Sequence, residues 1–422
     1  MSTRSPNKPP RAIAHLLCAL AMLAGAHGAT AANMPLATAP EGFGAGTTGG
    51  GQTKDIVTVH TAAQLAHELC RTLGPSGRCS DTSPRVIKLG ETIDFTGTEK
   101  KDTARVCNVG KVCTAPYKNP VLIPVDANDH RCDKVPMWQI DVDKAGKNPL
   151  LVGSNKTLLG VGAHAGLKGK GLNLDNVSNV IIRNITISDI NPGIIFGGDA
   201  VTISNSHHVW FDHNRVYNIA RQMLVAHFGM TTNITVSWNI FDGNSMYSPN
   251  CNGQHYYNLL MAGNPQTVTV SNNWFKNVSG RAPHIDSPDA KVHLVNNYFD
   301  NDEWTEMAAH ALDATPNPGT GVNVLVEANY FSNFAIPITG TSSNVFGSLR
   351  VPSAAMQTQC KSVLERNCYG NVVKPAPSDN HFVQDSAVMK AFLSVPQTQI
   401  VTPYTATDAP VNVPAHAGPG KI

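Results

Sequence analysis

The chain has 422 residues, enough for two or three average domains or for one long solenoid. Its 32 Lys and Arg nearly balance its 30 Asp and Glu, and the formal net charge of +2 gives no support to a nucleic-acid partner or an anionic membrane. Only 15% of the residues are charged, whereas Asn, Ser, Thr, Gly and Val are plentiful, which favours many short strands and turns over long helices.

Residues 1–32 are predicted to be a signal peptide. A basic segment at 4–11 is followed by an apolar stretch at about 13–26 and by small residues at 29–32 that offer a cleavage site. A transmembrane anchor is the alternative, but the apolar stretch is shorter than the ~20 residues that a span needs. We therefore expect residues 33–422 to form one secreted, monomeric domain that contacts no membrane and no nucleic acid.

The cysteine content fits an exported chain. Of nine Cys, Cys18 lies in the predicted signal peptide, and an even number of Cys in the exported remainder indicates disulfides. A zinc site is the alternative, but no CxxC pair or nearby His pair has the spacing that zinc requires. Eight Cys allow about a hundred pairings, so spacing alone leaves the connectivity open. The eight are Cys70, Cys79, Cys107, Cys113, Cys132, Cys251, Cys360 and Cys368.

The two ends of the secreted chain show no repeat. Residues 41–51 are rich in Gly, and residues 61–73 have helical character and are expected to cap the N-terminal end of the structure. Residues 79–150 contain several Cys and Pro and are predicted to form a large loop excursion. Residues 345–422 are rich in Pro, Ala and Val and are expected to pack on the outside of the fold or to cap its far end.

Between these segments the sequence repeats a pattern of two short apolar strands separated by an Asn. Recurrence at a period of about 20–50 residues is the signature of a solenoid, in which each unit buries its apolar face against the next. Asn suits the turn between the strands, because it tolerates left-handed backbone angles and its stacked amides can hydrogen-bond along a ladder. The recurring residues are Asn184, Asn214, Asn239, Asn273, Asn297 and Asn329.

The repeated units contain strands and turns but no helical stretch between them. A β-sandwich or a β-propeller is the alternative, but the blades of a propeller need about four strands per repeat, and these repeats are too short. The sequence therefore predicts an all-β fold, namely a right-handed, single-stranded parallel β-helix with an N-terminal helical cap and peripheral loops.

Several motifs resemble the pectate and pectin lyase superfamily, and the resemblance is closest to its pectin lyase branch. In chain order they include EGFGAGTTGGG at 41–51, GGDAV at 197–201, WFDH at 210–213, YSPNCNGQHYY at 247–257, SGRAP at 279–283 and VNNYF at 295–299. The resemblance implies a β-helical polysaccharide lyase that acts on plant cell-wall pectin and needs no cofactor. It also implies a disulfide scheme, namely Cys70–Cys79, Cys107–Cys132, Cys113–Cys251 and Cys360–Cys368.

Lyases of uronate chains remove the C5 proton and expel the oxygen at C4, so they need a base at C5 and positive charge near C6. By the resemblance, Arg281 in SGRAP matches the catalytic Arg that takes the C5 proton. An arginine is a poor base because its pKa is normally above about 12. An ion pair between Arg281 and a carboxylate such as Asp286 or Asp289 is the alternative interpretation.

The WFDH motif supplies a candidate carboxylate. Alternation along this strand predicts that Trp210 and Asp212 face outward together. By the resemblance, the residue matching Asp212 in calcium-dependent pectate lyases is a metal ligand, and acidic residues stand where this chain has Arg221 and Val225. A calcium ion needs several oxygen ligands, which one carboxylate cannot provide. We therefore predict no metal site, with Arg221 in the place of the ion and paired with Asp212; a purely structural salt bridge is the alternative.

The same departure bears on the substrate. Calcium bridges a charged carboxylate, whereas a methyl ester is already neutral and withdraws electrons by itself. Pectate lyases often carry a second Arg five residues after the catalytic one, where this chain has Asp286. Both departures indicate methyl-esterified pectin, cleaved without calcium to 4,5-unsaturated oligogalacturonates.

Candidate substrate-binding residues are Trp210, Tyr256, Tyr257 and His284, with Tyr247 behind them, since pectin lyases line their clefts with aromatic residues. The family more often has Trp at the position of Tyr257. Structural packing is the alternative for the Tyr residues, and a turn residue without a role is the alternative for His284. Two other functions stay open, a calcium-dependent pectate lyase and a non-catalytic β-helix that binds plant-wall polysaccharide or acts as an adhesin.

Overall fold

The structure of the chain is a computed structural model that describes residues 38–114, 116, 119–302, 312–314, 322–340, 344–377 and 382–422. The predicted signal peptide lies outside these residues. Within them, no helix is long and apolar enough to cross a membrane. We number the strands and α-helices of these ranges in chain order.

Three long sheets, each parallel throughout, contain nearly all of the strands. The ten-stranded sheet contains β1 (Ile56–Val59), β2 (Arg85–Leu89), β8 (Lys156–Gly160), β11 (Ser178–Arg183), β14 (Ser206–Asp212), β17 (Thr231–Ser237), β20 (Gln266–Ser271), β23 (Lys291–Val295), β26 (Asn323–Glu327) and β29 (Val345–Gly347). The nine-stranded sheet contains β3 (Thr92–Asp94), β9 (Gly166–Lys168), β12 (Thr186–Ile190), β15 (Arg215–Ile219), β18 (Ile240–Asp242), β21 (Trp274–Lys276), β24 (Tyr298–Asp300), β27 (Tyr330–Ser332) and β30 (Val372–Lys374). The eight-stranded sheet contains β7 (Leu150–Leu151), β10 (Leu172–Asp175), β13 (Val201–Ser204), β16 (Leu224–Ala226), β19 (Leu259–Met261), β22 (His284–Ile285), β25 (Leu312–Ala314) and β28 (Ile338–Gly340).

The chain visits the three sheets in turn, so that β14, β15 and β16 form one coil and β17, β18 and β19 form the next. Each strand pairs with the strand one coil earlier and one coil later. This arrangement confirms the predicted parallel β-helix.

The core of the helix consists of side chains stacked in register along its axis. Phe241, Phe275, Phe299 and Phe331 occupy equivalent positions of the nine-stranded sheet and are fully buried. Their ring centres are 5.1, 4.7 and 4.5 Å apart, close to the ~4.8 Å spacing of neighbouring strands. A repeating sequence thus places like residues at stacking distance, and each such pair adds about 0.5–1.5 kcal/mol beyond its buried area.

The predicted Asn ladder occupies the turn from the ten-stranded to the nine-stranded sheet. The Asn214 backbone N–H donates to Oδ1 of Asn239 at 2.9 Å, and the Asn239 N–H donates to Oδ1 of Asn273 at 2.9 Å. The ladder continues one step beyond the predicted column, to Asn371. In several of these turns the left-handed residue is the one before the ladder Asn, as at His213 (φ 51°) and Trp238 (φ 53°), since the ladder Asn itself already bonds the next coil.

We expect Asn239→Ala to destabilise the fold by roughly 2–4 kcal/mol, because it leaves the buried Asn214 N–H and the Phe211 carbonyl without partners. Urea unfolding followed by circular dichroism measures this loss. Asn128→Ala is the matched control, since Asn128 is exposed. Equal unfolding midpoints for the two variants would show that the ladder adds no stability.

Five α-helices and a small sheet decorate the β-helix within the described ranges. Helix α1 places buried Leu65 and Leu69 over the N-terminal end of the core, as expected of a cap. A three-stranded antiparallel sheet falls within the predicted excursion, whereas β2 and β3 belong to the main sheets. The helices are α1 (Ala62–Leu69), α2 (Lys144–Lys147), α3 (Ala354–Leu364), α4 (Ser386–Phe392) and α5 (Ala409–His416), and the small sheet contains β4 (Lys101–Asn108), β5 (Leu122–Pro124) and β6 (Met137–Asp143).

The structure contains all four disulfides that the resemblance implies. Among them, Cys113–Cys251 joins the excursion to the loop that precedes β19 and so fixes one wall of the site described below. The pairs are Cys70–Cys79, Cys107–Cys132, Cys113–Cys251 and Cys360–Cys368.

The Gly-rich segment 41–51 crosses the outer face of the ten-stranded sheet. The backbone N–H groups of Phe43 and Gly44 donate to the hydroxyls of Thr269 and Thr235, each at 2.9 Å. At Gly42 (φ 68°) an added Cβ would lie only 2.3 Å from the Thr269 hydroxyl. Gly is needed here because the backbone lies directly on the sheet. The segment therefore closes this face to large ligands.

Candidate active site

The outer face of the eight-stranded sheet is the floor of the candidate site. Its register aligns Thr202, Val225, Leu260, His284 and Asp313 in one outward row. The neighbours of these residues along the strands, such as the fully buried Met261 and Ile285, point into the core. The loops leading into β13, β16, β19 and β22 rise beside this row, and we call the row and these loops the cleft.

Arg281 stands in the loop that enters β22. Its carbonyl accepts a hydrogen bond from the Leu259 N–H at 2.6 Å, and its backbone has a left-handed φ of 48°. Its guanidinium carbon lies 5.2 Å from the ring centre of Tyr257 and 5.9 Å from that of Tyr256. Such backbone strain persists only where the surroundings fix it, and it concentrates at functional sites.

The guanidinium of Arg281 carries unused hydrogen-bonding capacity. Its Nε is buried and makes no hydrogen bond, and within the described ranges Arg281 forms no ion pair. The alternative interpretation, a surface ion pair with Asp286 or Asp289, therefore finds no support in these residues. A buried donor without a partner is a position from which a ligand can be bound.

Arg221 stands in the preceding loop, which enters β16. Its guanidinium carbon lies 4.8 Å from the ring centre of Phe196, an exposed side chain with a φ of 68°. Burial lowers the pKa of Arg221, the positive charges of Arg281 and Arg131 lower it further, and the carboxylate of Asp199 opposes them. Arg221 and Arg281, from two separate loops, thus share one electropositive cleft, whereas Arg131 is paired with the carboxylate of Asp129.

The predicted pair between Asp212 and Arg221 is wrong. Asp212 is fully buried on the ten-stranded sheet, where its Oδ2 lies 2.7 Å from Nε of Arg183 and its Oδ1 accepts a 2.6 Å hydrogen bond from the hydroxyl of Ser237. His213 Nδ1 lies 2.5 Å from the same carboxylate. All of its partners belong to strands or turns of the ten-stranded sheet. Asp212 therefore contributes to this covered face and not to the cleft.

The structure also contradicts the sequence-based prediction that Trp210 binds substrate. Its side chain points out of the core, as alternation predicts, yet it is only 2% exposed. The indole N–H donates to Ser237 Oγ at 2.9 Å, and the guanidinium of Arg183 lies 4.8 Å from the ring centre. The physical reason is the segment 41–51, which covers this face and leaves no room for a sugar ring.

Asp199, and not Asp212, is the carboxylate that faces Arg221. It precedes β13, and its Oδ1 accepts a 2.8 Å hydrogen bond from the Gln222 N–H, next to Arg221 in the chain. Burial raises the pKa of Asp199, whereas the Gln222 N–H and the charge of Arg221 lower it. In the sequence, the GGDAV motif was used only for its resemblance, and Asp199 was given no role. Asp199 could have been identified from its position shortly before a strand of the eight-stranded sheet. Arg221 and Arg281 each occupy the same kind of position before their own strands.

Two polar residues that the sequence-based reasoning missed hold these loops together. His255 Nε2 lies 2.7 Å from the carbonyl of Arg221 and 2.9 Å from that of Tyr257, and burial lowers the pKa of the ring. Asn258 Nδ2 donates to the carbonyl of Gly280 at 2.7 Å. Both side chains are buried and fix backbone rather than contact ligand. They are positioning residues for the arginine loops.

The predicted aromatic residues of the 247–257 motif do line the cleft. Tyr256 and Tyr257 pack edge to face, with ring centres 5.1 Å apart, and both are half-buried. Burial raises the pKa of the Tyr256 hydroxyl, while Arg281 lowers it by charge and by a hydrogen bond. Tyr247 lines a small adjoining cavity together with both of them. Phe196, half exposed beside Arg221, was not predicted because its turn carries no strand pattern.

His284 lies on the floor of the cleft, in strand β22 and not in a turn, and its role in substrate binding stays a prediction. Its Nδ1 is 2.8 Å from Oδ2 of Asp313 on the neighbouring strand β25. The side chains of both residues keep about one-sixth of their surface exposed.

The cleft residues do not fit a calcium ion. Calcium takes about six to eight oxygen ligands, mostly from carboxylates and carbonyls. Here the carboxylate of Asp199 faces Arg221, the aliphatic Val225 offers no oxygen ligand, and the guanidinium charges of Arg221 and Arg281 repel a divalent cation. In the part of the chain that the structure describes, no three His, Cys, Asp or Glu side chains group in a way that could hold a metal ion.

Comparison with known proteins is consistent with this geometry. The sequence model of the family described as pectate lyase matches residues 12–421. The chain is 38% identical to probable pectin lyase E of Aspergillus fumigatus, over 91% of this chain and 95% of that protein, and 37% identical to probable pectin lyase B of Aspergillus niger, over 83% and 87%.

Solved structures show the same fold. A thermostable pectate lyase superposes with a TM-score of 0.58 at 19% identity, covering 90% of this chain and 97% of that one. The pectate lyase of Acidovorax avenae subsp. citrulli superposes with a TM-score of 0.53 at 18% identity, covering 94% and 98%. With the family match over nearly the whole chain, these findings establish that the chain belongs to the family of pectate and pectin lyases and is a polysaccharide lyase.

Proposed function

We propose that this protein cleaves methyl-esterified galacturonan by β-elimination and does so without a metal ion. The observation that carries the proposal is the pair of cleft arginines, Arg221 and Arg281, whose charges act on each other and which form no ion pair within the described residues, with the half-buried carboxylate of Asp199 facing Arg221. The names of the pectin lyases that resemble this chain support the substrate class.

Arg281 is proposed to remove the C5 proton. In the elimination that proton leaves as the C5–H bond breaks, the C4=C5 double bond forms, and the C4–O4 bond breaks. Arg281 must therefore be deprotonated when it acts. The charges of Arg281 and Arg221 act on each other, so the proposed base and the second guanidinium lie in the same cleft.

Arg221 is proposed to stabilise the charge that develops on the C6 carbonyl oxygen. It is fixed by the Phe196 ring and by the clamp that His255 makes on its carbonyl, so it needs no rearrangement during the reaction. Fixed charges of this kind typically lower a barrier by several kcal/mol.

An ester suits this arrangement better than a free carboxylate. Loss of the C5 proton leaves one negative charge on an ester but two on a carboxylate, and one fixed guanidinium can neutralise only the first. The second charge is what a divalent ion would offset. Plant cell-wall pectin, in which many carboxyl groups are methylated, is therefore the proposed substrate, with the protein secreted as a monomer by means of the predicted signal peptide.

Chelator treatment tests this proposal. With EDTA present, we expect turnover of highly esterified pectin to stay within about twofold of the untreated rate and to exceed that of polygalacturonate by roughly 10²-fold. The readout is the ultraviolet absorbance of the unsaturated product. Calcium addition to polygalacturonate is the control for residual metal-dependent activity.

Two outcomes would contradict the proposal. Loss of activity with EDTA, together with preference for polygalacturonate, would make the protein a calcium-dependent pectate lyase. No absorbance rise on either substrate, even at high protein concentration, would leave polysaccharide binding without catalysis.

A further inference from the structure

The elimination requires a second proton transfer that the arginines do not supply. When the C4–O4 bond breaks, the departing sugar leaves with a negative charge on O4 unless an acid protonates it. General acids at such positions typically accelerate reactions by about 10²- to 10⁴-fold. A protonated donor must therefore lie in the cleft on the same row as the base.

His284 and Asp313 form the one His–carboxylate pair on the described part of the cleft floor. They are neighbours in the parallel register of β22 and β25, and the Nδ1–Oδ2 distance is 2.8 Å. Since Asp313 accepts the hydrogen bond of Nδ1–H, Nε2 lies on the other side of the ring, and it carries a proton that can be donated when the ring is an imidazolium. A carboxylate on one ring nitrogen orients the imidazole and stabilises its protonated form.

This pair lies close to the proposed base. His284 follows Arg281 by three residues, so their Cα atoms are at most about 10 Å apart. The charges of both Arg281 and Asp313 act on the hydroxyl of Tyr256, which places all three groups around one part of the cleft. A single glycosidic linkage can therefore contact the base and the pair together.

We propose that His284 is the general acid that protonates O4 of the leaving sugar and that Asp313 is its positioning residue. This inference rests on the proposed function. The imidazolium Nε2–H proton passes to O4 as the C4–O4 electron pair moves onto that oxygen. Arg281 takes the C5 proton, and the C5–H electron pair becomes the C4=C5 double bond. Solvent then reprotonates His284 and deprotonates Arg281, so no other reactant is consumed.

Several charged and titratable groups of the described residues lie near His284, among them Asp286 two residues further along the chain. Asp313 faces it from β25, Tyr256 and Tyr257 stand in the loop entering β19, and Arg281 precedes it in its own loop. On the neighbouring strand, His284 pairs with the apolar Leu260. Asp313 is thus its direct carboxylate contact among these groups.

A comparison of two leaving groups separates acid catalysis from a structural role. We expect His284→Gln to lower kcat on esterified pectin by about 10²-fold or more. The comparison substrate is a methyl-esterified galacturonide that carries a 4-nitrophenyl ether at C4. Its leaving group, 4-nitrophenolate, needs no protonation, so His284→Gln should lower kcat on this substrate by less than about tenfold. His60→Gln is the matched control, because His60 forms an exposed His–carboxylate pair with Glu91 away from the cleft.

The pH profile of Asp313→Asn gives a second readout that does not depend on the fold of the first variant. We expect the alkaline limb of kcat on pectin to move to lower pH, because the imidazolium loses its carboxylate partner. Equal losses of His284→Gln on both substrates, no loss on pectin, or an unshifted alkaline limb in Asp313→Asn would each overturn the assignment.

Failure of the inference can be told apart from failure of the proposed function. If the unmodified protein forms unsaturated product and Arg281→Ala does not, the function stands, whatever His284→Gln shows. If the unmodified protein forms no unsaturated product from esterified pectin, both the function and the role of His284 are wrong.

Discussion

Replacing Arg281 by Ala is expected to lower kcat on highly esterified pectin by roughly 10³- to 10⁴-fold, the upper part of the range for loss of a general base. The fold should survive, because Arg281 forms no ion pair within the described residues and its removal leaves no carboxylate there without a partner. The measurements are initial rates of absorbance increase and the thermal unfolding temperature of the same preparation.

A lysine at this position distinguishes charge from geometry. Arg281→Lys keeps the positive charge but lacks the planar guanidinium, so we expect KM to stay near that of the unmodified protein and kcat to fall. Arg105→Ala, which removes an exposed Arg of the excursion, should leave both unchanged. Retention of more than about one-tenth of kcat in Arg281→Ala would place the base elsewhere, since a general base is worth at least 10²-fold.

The fold could be predicted because its determinants are local and periodic. Each coil repeats the same short strand, Asn and second strand, and parallel stacking places these residues above one another. The last ladder residue, Asn371, escaped detection because helix α3 is inserted before it. It follows Asn329 by 42 residues, a longer interval than any in the predicted column.

The cleft was predicted in part, because exposure of a sheet face depends on segments far away in sequence. Arg221, Arg281 and the Tyr pair were identified from motifs in loops that line the cleft and are only partly buried. Trp210 was placed correctly on the outside of the core, but the segment that buries its face is distant. The contact of Gly44 with Thr235, for example, spans 191 residues.

Residues that act through the backbone left no recognisable pattern. His255 was visible inside the 247–257 motif, yet its bonds to the carbonyls of Arg221 and Tyr257 require knowledge of how two loops meet. Asp199 was visible in GGDAV, but alternation arguments apply to strands and it lies just before one. The carboxylate that pairs with Arg221 was instead assigned to Asp212 of the WFDH motif, because that motif has a clear strand pattern.

Exchanging the two aspartates for asparagine should separate folding from catalysis. Asp212→Asn is expected to destabilise the protein by about 3–5 kcal/mol, because it removes the buried partner of the Arg183 guanidinium. Its kcat per folded molecule should stay within about twofold of the unmodified protein, since the face that carries Asp212 is covered.

Asp199→Asn is expected to behave in the opposite way. The amide oxygen can still accept the Gln222 N–H, so the loop keeps its shape, but Arg221 loses its counter-charge and its fixed orientation. We expect kcat to fall about tenfold, which corresponds to ~1.4 kcal/mol of transition-state stabilisation.

The raised pKa of Asp199 determines how the stability of Asp199→Asn, relative to the unmodified protein, depends on pH. A carboxyl group whose folded pKa is raised stabilises the fold below its unfolded pKa, and this contribution is lost as the pH rises through the folded value. The asparagine variant should therefore be at least as stable as the unmodified protein at pH 8, with the difference shrinking towards pH 4. Two results would contradict this assignment: loss of stability in Asp199→Asn with full activity, or loss of activity in Asp212→Asn without destabilisation. Either would indicate that Asp212 of the WFDH motif is the carboxylate of the site.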